Sequence, residues 1–170
     1  MEGMSFSAAL SNHRSSIIRK WSERLIRTYP EATTRFLSQE QDPFRNPIGH
    51  TLQEGLTALF DGLAETADVS SLTPALDSIV RIRAVQDFTA GQAIAFPFLL
   101  KPIIREELAE HVQRYSSELV DLEARIDELA LLAFDLYVKC REQVYELKVN
   151  EVKRRSSTLE RAHQKLQSGS

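Results

Sequence analysis

The chain has 170 residues and a formal net charge of -3, from 21 Lys and Arg against 24 Asp and Glu. This length suits one domain with its own core, and the charge excludes the overall basic field of a general nucleic-acid-binding protein. The one cysteine, Cys140, excludes an internal disulfide and, with an opening segment that lacks an apolar signal, predicts a cytoplasmic protein.

Long segments of helical periodicity, with only six Gly and six Pro in the chain, predict an all-α fold. The first helix is expected over about residues 7–28, and Pro30 ends it because proline cannot continue the backbone hydrogen bonds. The pair Phe36-Leu37 allows a short second helix. The predicted buried face of the first helix consists of Leu10, Ile17, Trp21 and Leu25.

Three local signals mark the starts of later helices. At Asn46-Pro47 the Asn side chain can cap a helix, and proline is tolerated at the first helical position. Thr73-Pro74 repeats the pattern, and Thr89-Ala90-Gly91-Gln92 is a predicted capping box. Residues 46–80 contain five acidic residues and no Lys or Arg, which predicts an anionic surface.

The longest apolar stretch covers residues 93–100 and continues after Lys101 to Ile104. A membrane helix needs about 20 such residues, so this stretch predicts a buried central helix rather than a membrane span. Pro97 and Pro102 each remove a backbone hydrogen bond, and we therefore expect the central helix to be kinked or divided.

The segment from Ser116 to about Gln167 has no Gly or Pro and predicts one or two very long helices. Two apolar stripes run along it. The first, which suits packing on the domain, contains Leu122, Ile126, Leu129, Ala133, Leu136, Cys140 and Leu147. The second alternates steps of four and three residues, as a coiled-coil seam does, and contains Tyr145, Val149, Val152, Ser156, Leu159, His163 and Leu166.

Charge also distinguishes the C-terminal segment from the rest of the chain. Residues 141–170 have seven basic and four acidic residues, which favours a tail that contacts an acidic face of a second subunit or of another protein. We divide the chain into a helical regulatory domain, residues 1–147, and a basic helical extension, residues 148–170. The seam predicts a homodimer whose contact residues are Tyr145, Val149, Val152 and Leu159.

No constellation of residues predicts catalysis or a bound metal or cofactor. The motifs GxGxxG, GxxxxGK[ST], HExxH and GxSxG do not occur, and the single Glu160-x-x-His163 would need a second copy and two more glutamates to hold di-iron. His50 and His111 lie beside apolar stripes and leave haem ligation open as an alternative. Cys140 is expected to be buried rather than reactive.

Charged and polar side chains flank the central apolar stretch on both sides. Because buried charges must be paired, they predict an ion-pair network that fixes the helix junction. Binding of an anionic ligand, or a two-state switch, is the functional alternative. The candidate switch residues are Arg81, Arg83, Gln86, Asp87, Lys101 and Arg105.

Three sequence blocks resemble the N-terminal domain of RsbRD-type co-antagonists of the bacterial general stress response. They are residues 42–49, DPFRNPIG, residues 81–88, RIRAVQDF, and Leu100-Lys101 with residues 104–108, IREEL. The resemblance extends from about Trp21 to Leu147. It implies a helical sensory or regulatory module, often joined to a STAS domain, a histidine kinase or a transcription factor. Related domains look like dimeric non-haem globins, which implies a globin-like fold.

Two later segments, residues 134–142 and 149–155, are similar to stand-alone family members of anaerobic sulfate- or metal-reducing bacteria. We therefore expect no STAS output domain after the basic helix. The sequence predicts a non-enzymatic signalling module that binds protein partners, with no nucleic acid and no membrane insertion. The alternatives are a haem- or small-molecule sensor with a pocket beside Phe96 and Phe98, or an accessory protein that docks on a redox complex.

Overall fold

The computed structural model describes the backbone of residues 4–168 and the side chains of residues 4–161 and of Gln164. Within this range the chain forms seven α-helices and three short 3-10 turns, without a strand, so the all-α prediction is confirmed. The helices are α1 (Phe6–Ile26), α2 (Glu31–Gln39), α3 (Pro47–Ala64), α4 (Thr73–Ala84), α5 (Ala90–Ile94), α6 (Leu100–Glu107) and α7 (Ser116–Ser168).

Helix α1 packs on α3 and α6. The Ser5 hydroxyl caps it by accepting from Ala8 N at 3.2 Å. The predicted buried face is confirmed, because Leu10, Ile17, Trp21 and Leu25 are all buried. The Trp21 indole also donates to the carbonyl oxygen of Phe96 at 2.7 Å, which fixes α1 to the chain between α5 and α6.

The predicted start of α3 at Asn46-Pro47 is confirmed, and Asn46 also joins α3 to the end of α2. Its side chain is buried, accepts from Gly49 N at 2.8 Å, and donates to the carbonyl oxygens of Leu37 at 3.2 Å and Glu40 at 2.8 Å. A Cβ at Gly49 would overlap this amide, so the junction needs glycine there.

One expectation about α4 is wrong. Thr73 is not a cap residue, because a 3-10 turn over Val69–Leu72 runs directly into α4 and the Thr73 hydroxyl donates backwards to Ser70 O at 2.6 Å. Val85 follows the last residue of α4 and points to solvent, with 66% of its surface exposed.

Of the two expected alternatives, a kinked or a divided central helix, the structure shows the divided one. The capping box of Thr89 and Gln92 starts α5 as predicted, but α5 ends at Ile94 and a 3-10 turn over Phe96–Leu99 separates it from α6. Pro97 lies at the start of that turn and Pro102 in the first turn of α6, positions where a missing N–H removes no helical hydrogen bond. No helix within residues 4–168 is long and apolar enough to cross a membrane.

Helix α7 has 53 residues, about 80 Å at the helical rise, and it crosses residues 147 and 148 without a break. It packs mainly on α4, on the 3-10 turn over Phe96–Leu99 and on α5, and the first predicted stripe is buried from Leu122 to Cys140, with Leu136 half-buried. Leu147, predicted to belong to this stripe, is 71% exposed, because α7 has passed the end of the bundle by that residue. Near this end Arg141 Nη1 donates to Ala84 O at 3.1 Å.

Replacement of Asn46 by Ala tests the α2–α3 junction. The change removes the cap and two further buried hydrogen bonds, so we expect the free energy of unfolding to fall by about 2–3 kcal/mol in urea titrations. Ser5→Ala, which removes the exposed cap of α1, is the control and should cost about 1 kcal/mol or less. Equal effects of the two variants would contradict the proposed role of Asn46.

Candidate functional site

Arg83, a candidate switch residue, is the most deeply buried charged side chain in the described part of the chain, with 1% of its surface exposed. Its Nε donates to Ala93 O at 2.8 Å and its Nη2 to Gln92 O at 2.8 Å. These carbonyls belong to the last residues of α5, where no intrahelical donor is left for them. Arg83 therefore caps the C-terminus of α5, where a positive charge is favourable.

Two aromatic rings cover the buried guanidinium. Its Cζ lies 4.4 Å from the ring centroid of Phe88 and 5.1 Å from that of Tyr29, and the two rings meet edge to face. Within the described residues Tyr29 Oη and Arg83 Nη1 are buried without a hydrogen-bond partner. Burial lowers the pKa of the Arg83 guanidinium and raises the pKa of the Tyr29 phenol, which the positive charge of Arg83 partly opposes. Arg83 thus connects the α1–α2 junction, α4 and α5.

The other candidate switch residues lie elsewhere on the bundle. Arg81 pairs with Asp77 of its own helix at 2.6 Å, Lys101 with Asp127 at 2.5 Å, and Arg105 with Glu123 through two hydrogen bonds of 2.6 and 3.0 Å. Gln86 is half-buried and Asp87 is exposed in the loop after α4. Among the described residues no hydrogen bond or ion pair joins two of these six side chains. The predicted single network is therefore wrong; three separate ion pairs and one buried cap replace it.

A polar cluster that the sequence did not predict lies between α1 and α6. Glu107 is only 10% exposed, and three side chains of α1 contact it: Lys20 Nζ at 2.6 Å, Ser16 Oγ at 2.9 Å and His13 Nδ1 at 3.1 Å. Beside it, Arg24 pairs with Glu106 at 2.7 Å. The four α1 residues are three or four positions apart and so share one face of the helix. That spacing was visible in the sequence, but nothing there showed that α6 covers this face.

The pKa of Glu107 reflects two opposing effects. Burial by itself raises the pKa of the carboxyl, and the hydrogen bonds from Lys20, Ser16 and His13 lower it by more, so the net pKa is below its ordinary value. The carboxylate is therefore the form that the fold stabilises. This favours a structural ion pair that holds α6 to α1.

The tail seam, Tyr145, Val149, Val152 and Leu159, lies where α7 leaves the bundle. Tyr145 is 70%, Val152 66% and Leu159 71% exposed, and Val149 is half-buried. Residues 141–168 alone extend roughly 42 Å at the helical rise. An isolated helix with such an exposed apolar face is marginal in water. His163 and Leu166 were also predicted in the seam, but their side chains are not among those that the structure describes.

Among the described side chains, His50, His111 and Cys140 show no ligand-binding arrangement. His50 Nε2 lies 3.1 Å from Glu54 Oε1, His111 meets Tyr115 edge to face, and Cys140 is buried. No group of three or more His, Cys, Asp or Glu in the described residues could hold a metal ion. A cavity of about 520 Å³ lies between α1, α2 and α3, with Asn46 and His50 in its wall; Phe96 and Phe98 do not line it.

Most of this chain is similar to known proteins. The family model described as the N-terminal domain of the RsbT co-antagonist protein rsbRD matches residues 15–152. An Archaeoglobus fulgidus protein described as uncharacterized is 24% identical over 139 residues, which are 81% of this chain and 83% of that protein. No solved structure matches the chain.

Replacement of Arg83 by Ala tests the buried cap. The change removes two charge-assisted hydrogen bonds and leaves a cavity between two rings, so we expect a loss of about 2–4 kcal/mol and a fall in Tm of roughly 6–12 °C by calorimetry. Arg81→Ala, in the same helix but in an exposed ion pair, should change Tm by about 2 °C or less. An Arg83→Ala melt like that of Arg81→Ala would show that the cap does not hold the junction.

Replacement of Glu107 by Gln should destabilise the protein in a pH-dependent way. Because the folded pKa is lowered, the carboxylate stabilises the fold above the unfolded pKa, about 4.3, and this contribution is lost as the pH falls through the folded pKa. Urea titrations should give a loss of about 1.5–3 kcal/mol at neutral pH and a smaller one near pH 4. Glu106→Gln, at the more exposed neighbour, is the control. A loss for Glu107→Gln that is the same at both pH values would contradict this reading.

Proposed function

Because the chain belongs to the RsbRD N-terminal domain family, we propose that it is a non-enzymatic cytoplasmic signalling domain that acts by binding protein, first of all a second copy of itself. The family description, a co-antagonist of another protein, supports regulation by protein contact. The observation that carries the proposal is the tail seam. It is an apolar face at coiled-coil spacing, on a helix that extends beyond its own bundle.

The charge of α7 supports a role in recognition. Beyond the bundle it presents Lys148, Lys153, Arg154 and Arg155 to solvent, whereas α3 and the turn after it present acidic side chains. Such surfaces steer association and select partners more than they add affinity. The basic extension is thus proposed to select the protein to which the signal passes.

The interior supports a regulatory rather than a catalytic role. Two charged groups of the bundle, the buried Arg83 and the largely covered Glu107, are engaged in holding helix junctions, through α5 carbonyls and α1 side chains respectively. The globin-like arrangement that the resemblance implies is kept as part of this proposal. A crystal structure whose helix-crossing angles match those of globins would support it, and a different set would not.

Replacement of Val152 by Asp tests the homodimer. Light scattering of the unchanged protein should give twice the monomer mass of 19.3 kDa, and Val152→Asp should shift the mass toward the monomer, because a carboxylate in a seam contact has no partner. Leu147→Asp makes the same charge change at a residue that is 71% exposed on the opposite side of α7, and it should leave the mass unchanged. A monomeric unchanged protein, or a dimeric Val152→Asp variant, would contradict the assignment.

A further inference from the structure

Exposed apolar residues on α7 extend further back along the helix than the tail seam. The outer row, defined as Leu131, Val138, Tyr145, Val152 and Leu159, repeats at every seventh residue. These side chains are 69%, 38%, 70%, 66% and 71% exposed, in the same order. Leu131 and Val138 lie on the part of α7 that packs on the bundle. The row is therefore about 42 Å long and includes the surface of the folded domain.

Packing of the bundle leaves the outer row exposed. Over the same turns of α7 the residues that face the bundle, including Ile126, Leu129, Ala133 and Cys140, are buried. On the other side of α7, up to residue 140, Leu131 and Val138 stay exposed in the single chain, with exposed Glu128, Asp135 and Lys139 beside them. Phe134, 44% exposed, lies beside the outer row and widens it on the domain.

The spacing of the outer row identifies the shape of its partner. A straight α-helix has 3.6 residues per turn, so a strict seven-residue repeat drifts by about 20° per heptad around the helix. Five members at this spacing stay in contact only with a helix that winds around α7. A flat surface or a loop would not follow the row along its length.

Charges beside the outer row favour one orientation of that helix. One edge of the row is basic, with Arg141, Lys148 and Arg155, each three residues after a row member. The other edge has four acidic residues, Asp135, Glu142, Glu146 and Glu160, and two basic ones, Lys139 and Lys153. When two copies pair in parallel, the basic edge of each lies beside the acidic edge of the other, whereas antiparallel pairing places basic beside basic.

We propose that α7 of a second copy covers the outer row from Leu131 to Leu159, in parallel and in register. This inference rests on the proposed function, because it specifies the geometry of the homodimer. It adds that the folded domains take part in the interface through Leu131, Phe134 and Val138. Both domains then lie side by side at one end, and the two basic extensions leave together at the other.

Single-cysteine crosslinking tests the register. Cys140→Ala removes the natural thiol, and Val138→Cys or Leu159→Cys is then introduced in separate full-length proteins and oxidised mildly. In a parallel, in-register pair each residue of the row faces its own copy, so both variants should form covalent dimers on non-reducing gels. Leu147→Cys is the control, because Leu147 is exposed on the opposite side of α7, and this variant should form few covalent dimers. Thermal melts of each variant check that it is folded.

The outcomes separate this inference from the proposed function. Crosslinks at both Val138→Cys and Leu159→Cys, well above the control, support it. A dimeric mass with a crosslink at only one of them or at neither overturns the parallel register and leaves the homodimer in place. A monomeric mass without crosslinks overturns both, and assigns the outer row to a helix of another protein.

Discussion

Helix α7 carries apolar side chains on two sides, and the bundle buries only one of them. Up to Cys140 one side completes the core of the bundle, and over the same turns Leu131 and Val138 face outward. Beyond the bundle only the outward side continues, through Tyr145, Val152 and Leu159. A helix of 53 residues with few stabilising contacts in its second half is marginal in water, and in the proposed dimer one partner helix would cover the outer face and stabilise that half.

The helices that surround α7 end in carbonyl groups that need donors, and arginines supply them from neighbouring elements. Arg83 of α4 caps α5, Arg125 of α7 donates to Leu63 O at the end of α3, and Arg141 of α7 donates to Ala84 O at the end of α4. At these three helix ends the acceptor is a backbone carbonyl, so the arginine needs no carboxylate there. Two of the three arginines belong to α7, so α7 is directly hydrogen-bonded to the C-terminal ends of α3 and α4.

Local signals in the sequence predicted local structure well. The Asn46-Pro47 start, the Thr89 capping box, the buried face of α1 and the long C-terminal helix depend on neighbours within a few residues, and all are present. Thr73-Pro74 is a local signal that failed, because a 3-10 turn runs directly into α4, and the other errors came from tertiary context. Arg83 pairs with backbone carbonyls rather than a carboxylate, and Glu107 is buried because α6 lies across the polar face of α1. Leu131 and Val138 belong to neither predicted stripe, because their outward position depends on which side of α7 packs on the bundle.

Hydrogen exchange along α7 at different protein concentrations tests the central claim most directly, namely that its outer face binds a second copy. Amides of residues 126–133, protected by the bundle, should exchange slowly at every concentration. Amides of residues 145–160 should exchange fast in dilute protein and become protected as the concentration rises, because only pairing stabilises that part of the helix. Exchange over 145–160 that is equally fast at all concentrations would contradict the account.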